Sequence, residues 1–235
     1  MTHSHIAEQG AGTIDARQVR IPPIDLPGTL VVPRGSDALV IFAHGSGSSR
    51  FSPRNIAVAE ALNRRCMATL LFDLLTPSEE VDRANVFNIP LLALRLRQAA
   101  EWSGVEPAVS GHKIGLFGAS TGAAAALGAA AQLDDRIGAI VSRGGRPDLA
   151  GAALDQIRTP TLLIVGGDDF GVIELNEQAF ARLQGPKALK IVPGASHLFP
   201  EPGALEAAIE HAGEWFERYL KPRAAPSKPR AGLGA

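Results

Sequence analysis

Short apolar runs separated by segments of helical period constrain this chain more than any other feature. "ALVIFAHG", "ATLLFDLL", "KIGLFG", "IGAIVS", "TPTLLIVGG" and "ALKIVPG" are almost wholly apolar, as strands covered on both faces must be. Between and after them, "SPRNIAVAEALNRR", "IPLLALRLRQAAEW", "TGAAAALGAAAQL", "VIELNEQAFARL" and "GALEAAIEHAGEWFERYL" carry helical spacing, and a shorter helix is expected near "DLAGAALDQI". Two strands open the series, the alternating "TIDARQVRI" and, after the turn "PPIDLPG", "GTLVVP". About eight strands alternating with about six helices imply an α/β fold, a mostly parallel eight-stranded sheet with helices on both faces.

A chain of 235 residues with 46% hydrophobic and 20% charged content can close one large core. The expected organisation is one domain over 13–220, a flexible N-terminal arm over 1–12 and a disordered, proline- and alanine-rich tail over 221–235. A net charge of -1 provides no global field for nucleic acid or an anionic membrane, so neither is an expected partner. The polar "MTHSHIAEQG" has no apolar core of a signal peptide, and no run is long enough to span a bilayer; a cytoplasmic protein is expected. One cysteine, Cys66, excludes an intrachain disulfide and a cysteine-built metal site, and its neighbours "RRCMATLL" lead us to expect it buried. No metal-ligand spacing or dinucleotide fingerprint occurs, so no cofactor is expected.

In parallel sheets ligands bind beyond the carboxyl ends of the strands, and the polar residues of this chain collect in those loops. One of them, Gly118-Ala119-Ser120-Thr121-Gly122, joins the strand "KIGLFG" to the alanine-rich helix. A serine hydroxyl is a weak nucleophile unless it is exposed beside a base, and a sharp strand-to-helix turn with a glycine on each side exposes it. The bland alternative is a serine that caps the helix; the strand before it and the helix after it favour the nucleophile. "LLIVGGDDFG" then puts Asp168 and Asp169 after a buried strand, and "IVPGASHLF" puts His197 after the next. The order serine, aspartate, histidine is that of an α/β-hydrolase triad, with His197 as base and either aspartate as its orienter.

"FAHGSGSS" ends an earlier central strand, and its turn can present backbone donors to the nucleophile. The expected oxyanion hole is the N–H of Ser46 with that of Thr121. His44 is expected to brace that turn, and His112 and His211 to lie on the surface. Arg50, Arg54, Arg143 and Arg146 follow strands that flank Ser120. Each either forks a substrate carboxylate, for which Arg143 and Arg50 are the candidates, or pairs with Asp73, Glu79 or Asp148 to hold a loop.

These motifs together resemble the dienelactone-hydrolase-like group of α/β-hydrolases. The resemblance runs from about Val31 to Leu220 through "HGSGSSRFSPRN", "ATLLFDLLTPSEE", "IPLLALRLR", "GASTGAAAAL", "SRGGRPDLA", "LLIVGG" and "PGASHLFPEPGAL". It implies that the acid is Asp169, because in such relatives the acid follows two glycines and one further residue. Dienelactone hydrolases proper use a cysteine nucleophile; Ser120 in its place implies a general serine esterase. Only about fifteen residues separate Gly145 from the next strand, so an open site without a cap domain is expected. The resulting expectation is a small-molecule carboxylic-ester hydrolase working through an acyl-enzyme. The alternatives are an acyltransferase with the same triad and a non-catalytic binding module on this scaffold.

Overall fold

A computed structural model describes residues 14–221. The proposed arm over 1–12 and nearly all of the proposed tail lie outside the described residues. Eight strands form one sheet in the order β1-β2-β4-β3-β5-β6-β7-β8. They are β1 (Ile14–Ile21), β2 (Leu26–Pro33), β3 (Ala38–Ala43), β4 (Ala68–Phe72), β5 (Lys113–Ala119), β6 (Ile137–Arg143), β7 (Thr161–Gly166) and β8 (Lys187–Val192). β1 and β2 pair antiparallel, β2 meets β4 antiparallel, and every pairing from β4 to β8 is parallel. This is the architecture the alternation of patterns requires.

The helices are α1 (Pro53–Arg64), α2 (Pro77–Glu80), α3 (Ile89–Ser103), α4 (Thr121–Leu133), α5 (Phe170–Arg182) and α6 (Ala204–Leu220). One apolar layer packs α1 and α6 on the sheet; the other packs α3, α4 and part of α5. Nearly every residue of α4 is buried. A helix enclosed on all sides needs small apolar side chains all round, which is why its sequence is mostly alanine. β3, β4 and β7 are buried along their whole length. β8, an edge strand, exposes Lys190 and Ile191 and breaks its apolar run accordingly.

Three local features depart from the sequence reading. The segment "TPSEE" contains a one-turn helix, α2, rather than loop alone. Its capping box pairs the Thr76 hydroxyl with the Glu79 N–H and the Glu79 carboxylate with the Thr76 N–H. The short helix expected near "DLAGAALDQI" is a 3-10 segment, Pro147–Gln156, bent at Gly151. It fills the connection between β6 and β7, where no cap domain is inserted. Finally, Cys66 is exposed, not buried. It occupies the left-handed position just past α1, at φ 56°. The Cys66 N–H donates to Asn63 O (2.9 Å) and the Met67 N–H to Leu62 O (3.1 Å), the two bonds of a Schellman cap. At that position Met67 turns into the core and the cysteine turns out.

Two outcomes follow for Cys66. Its thiol should react to completion with a thiol-specific reagent in the folded protein, without denaturant. Replacing it by glycine, which carries no left-handed penalty, should raise stability by about 1 kcal/mol in denaturant unfolding.

Candidate active site

The sheet order places β3 beside β5, although the chain visits β4 between them. Connections leave this pair in opposite directions, and a crevice opens at its carboxyl end. Gly118 on β5 is paired with Ala43, the last residue of β3. The loops that follow these two strands, His44-Gly45-Ser46 and Ser120-Thr121, therefore meet at the switch point.

Ser120 has φ 51°, a left-handed conformation that a serine adopts only where its surroundings impose it. The imposing contact is the arrival of α4 on the end of β3. A Cβ on Gly122 would stand 2.2 Å from the Ala43 carbonyl oxygen, and one on Gly118 would stand 2.5 Å from Ala123 Cα. Neither position can hold a side chain, and between them the chain turns from strand to helix within one residue. Ser120 and His197 line one cavity of about 350 Å³ with Gly45, Ser46, Arg54, Asn55 and Arg143.

Of the two aspartates, Asp169 is the one whose carboxylate reaches the histidine, with Oδ2 2.7 Å from His197 Nδ1. The Asp168 side chain is turned to solvent, while its N–H is tied to Ala195 O at 2.9 Å. Both aspartates lie in the turn beyond β7, where the Asp169 N–H donates back to Gly166 O at 3.1 Å. With Nδ1 engaged by the carboxylate, Nε2 is the ring nitrogen left to act as a base, and His197 lines the cavity with Ser120. No hydrogen bond joins Ser120 Oγ to His197 in this structure, a separation common before substrate binds.

The donors expected for an oxyanion differ in their state. Thr121 is the first residue of α4, so its N–H has no carbonyl within the helix to bind. The Ser46 N–H instead donates to Thr121 Oγ1 at 3.0 Å. The sequence reading missed this bond, since nothing in either loop signals which hydroxyl meets which amide. His44 is buried and braces the turn as expected. Its Nδ1–H donates to Gly45 O at 3.1 Å, and its Nε2 accepts from the Leu74 N–H at 3.2 Å. Burial pushes the His44 pKa below its ordinary value, against the opposing pull of its bond to Gly45 and of the Asp73 and Glu80 charges. His112, half-buried, lies away from the site against Ser36.

The four arginines separate into two kinds. Arg50, expected as a substrate ligand, is committed elsewhere: its N–H donates to Asp73 Oδ1 at 2.8 Å and its guanidinium binds Asp73 Oδ2. It holds the loop after β3 to the end of β4, and Asp73 supplies its counter-charge, although its Nε has no hydrogen-bond partner. Arg146 is likewise forked on Asp148 at 2.8 and 2.9 Å. Arg143 and Arg54 have no carboxylate partner among the described residues. Arg143 ends β6 opposite Ala119 and is only 5% exposed. Burial, and after it the charge of Arg54, brings its pKa down to about 10, so it stays cationic at neutral pH. Asn55, also on the cavity wall, was not singled out by the sequence because no spacing pattern marks it.

A profile of the Dienelactone hydrolase family matches residues 56–221. The crystal structure of a dienelactone hydrolase from Anabaena variabilis ATCC 29413 is 52% identical and superposes with a TM-score of 0.85, covering 89% of this chain and 99% of that one. Est1E from Butyrivibrio proteoclasticus superposes at 0.73 with 18% identity, over 88% of this chain and 98% of that one, a likeness of fold. A protein of Mycobacterium tuberculosis (strain ATCC 25618 / H37Rv) named "Putative phosphoribosyl transferase Rv0571c" is 51% identical over 228 residues. That match takes in 93% of this chain and 51% of the relative, so the chain spans about half the length of the curated relative.

The His44 geometry predicts an acid-side loss of stability. Folded His44 resists protonation, whereas the unfolded chain takes up a proton below the ordinary histidine value of about 6.5. The unfolded state then binds more protons, and stability falls as pH falls below that value. Denaturant unfolding at pH 7.5 and pH 5 should show a smaller difference in His44→Gln than in the parent chain.

Proposed function

This chain belongs to the Dienelactone hydrolase family, and on that premise we propose that it is a serine hydrolase of carboxylic esters. The observation that carries the reading is the His197–Asp169 hydrogen bond of 2.7 Å, opening on the same cavity as a serine held at φ 51°. Ser120 Oγ attacks the ester carbonyl while His197 Nε2 takes its proton. Asp169 keeps the imidazole in the tautomer that accepts at Nε2 and stabilises the imidazolium that forms. The developing oxyanion is held by the Thr121 N–H at the start of α4 and by the Ser46 N–H once rotation of Thr121 about χ1 releases it. His197 returns the proton to the leaving alcohol, and a water molecule deprotonated by the same imidazole hydrolyses the acyl-enzyme.

A serine with a histidine base serves acyl transfer from esters and amides alike, and the carboxylic ester is the substrate class we propose. An acyltransferase would differ only in its acceptor, and product analysis with an added alcohol distinguishes it. The transferase activity in the name of the M. tuberculosis relative is not carried across, because about half of that protein lies outside the match.

A fluorophosphonate should label Ser120, and Ser120→Ala should lose ester hydrolysis by about a millionfold while remaining folded. Retained turnover in that variant would refute the mechanism. Asp169→Asn should lose about four orders of magnitude in kcat on p-nitrophenyl acetate, through the wrong imidazole tautomer. Asp168→Asn, altering a carboxylate turned to solvent, should lose little; the opposite ranking would displace the triad by one residue.

A further inference from the structure

Buried ionic groups are normally paired, and an exception needs an account. Arg143 is such an exception. It is 5% exposed, and its Nε and one Nη have no hydrogen-bond partner among the described residues. The Phe199 ring lies 5.8 Å from its guanidinium carbon, a weak apolar support rather than a counter-charge. Arg54, from the first turn of α1, lines the same cavity with its Nε likewise unpartnered. Glu80 lines the adjoining groove with Arg54 but forms no ion pair with either arginine. Asn55, 2% exposed, also lines this cavity, but its unpartnered Oδ1 is an acceptor and does not favour an anion.

This contrasts with Arg50, Arg95 and Arg146, each of which has a carboxylate. Two like charges gathered on one wall repel each other and are costly to keep dry, so a ligand that relieves both must bring negative charge. A carboxylate has one charge and two oxygens, which fill one guanidinium fork. A phosphate monoester has close to two charges near neutral pH and three terminal oxygens, enough for two forks approaching from different elements.

We propose that Arg54 and Arg143 form a dianion subsite beside Ser120, and that the ester hydrolysed there carries a phosphate monoester. The inference rests on the hydrolase reading for the word ester, but the subsite is tested by binding alone. Phosphate stays intact through the reaction: the bond that breaks is the carboxylic ester bond, and the phosphate serves as the handle that positions it.

The probes are phenyl phosphate, its monoanionic methyl diester and benzoate, titrated calorimetrically into the parent chain at pH 8. Phenyl phosphate should bind about fivefold or more tighter than either monoanion, and Arg54→Gln and Arg143→Gln should each abolish most of that preference. Arg54 lies on a solvent-facing helix start, so its variant gives a reading even where the buried substitution perturbs folding. A smaller ratio, equal binding of benzoate, no binding of any probe, or a preference that survives Arg54→Gln would each overturn the subsite. Labelling of Ser120 and hydrolysis of p-nitrophenyl acetate need no phosphate, so failure of the hydrolase reading would show there and not in the calorimetry.

Discussion

The arrival of α4 on the end of β3 is the contact from which the candidate site is built. Because the Ala43 carbonyl occupies the space a Cβ on Gly122 would need, the helix begins one residue after Ser120 and at van der Waals distance from the neighbouring strand. That proximity forces Ser120 into a left-handed conformation. It also places the loop after β3 against the first turn of α4, so that Ser46 and Thr121 meet. The backbone strain at Ser120 is sustained by packing, since α4 is buried along almost its whole length. A helix of larger side chains could not sit between the sheet and α3 at this depth.

Charge is distributed unevenly around that site. The loops are held by paired arginines: Arg50 ties the β3 loop to Asp73, Arg95 meets Glu79 at 2.8 Å, and Arg146 is forked on Asp148. Burial works against the charge on Glu79, but the Thr76 N–H and hydroxyl and the Arg95 guanidinium hold its carboxyl below the usual range. The segment Thr76–Glu80 is thus a folded structural element despite its polar sequence. Against this background of neutralised pairs, the unpaired Arg54 and Arg143 stand out as charges that the fold tolerates without itself using them.

The sheet and its helices were legible in the sequence because burial on two faces demands continuous apolar runs, and no other arrangement accommodates six of them in alternation with helices. Where the pattern failed, a local hydrogen bond outweighed composition. The Thr76–Glu79 capping box was readable as T-x-x-E, yet the polar stretch around it resembles loop. Cys66 was misplaced because side-chain preference says nothing about the backbone position at which a helix terminates.

For the candidate site, the residue types and their order along the chain came from sequence alone: a serine between glycines, an aspartate pair, a histidine, each after an apolar strand. Those facts follow from chain connectivity, since a parallel sheet brings every strand's carboxyl end to one rim. Which aspartate reaches His197 was implied by the family resemblance and not by spacing; which hydroxyl the Ser46 amide meets and which arginines remain unpaired were decided only in three dimensions. Asp168 and Asp169 are the same residue type, as are Arg50 and Arg143; only the place each takes in the fold, and what packs opposite, separates them. Such distinctions turn on a few ångströms set by long-range packing, which spacing along the chain does not encode.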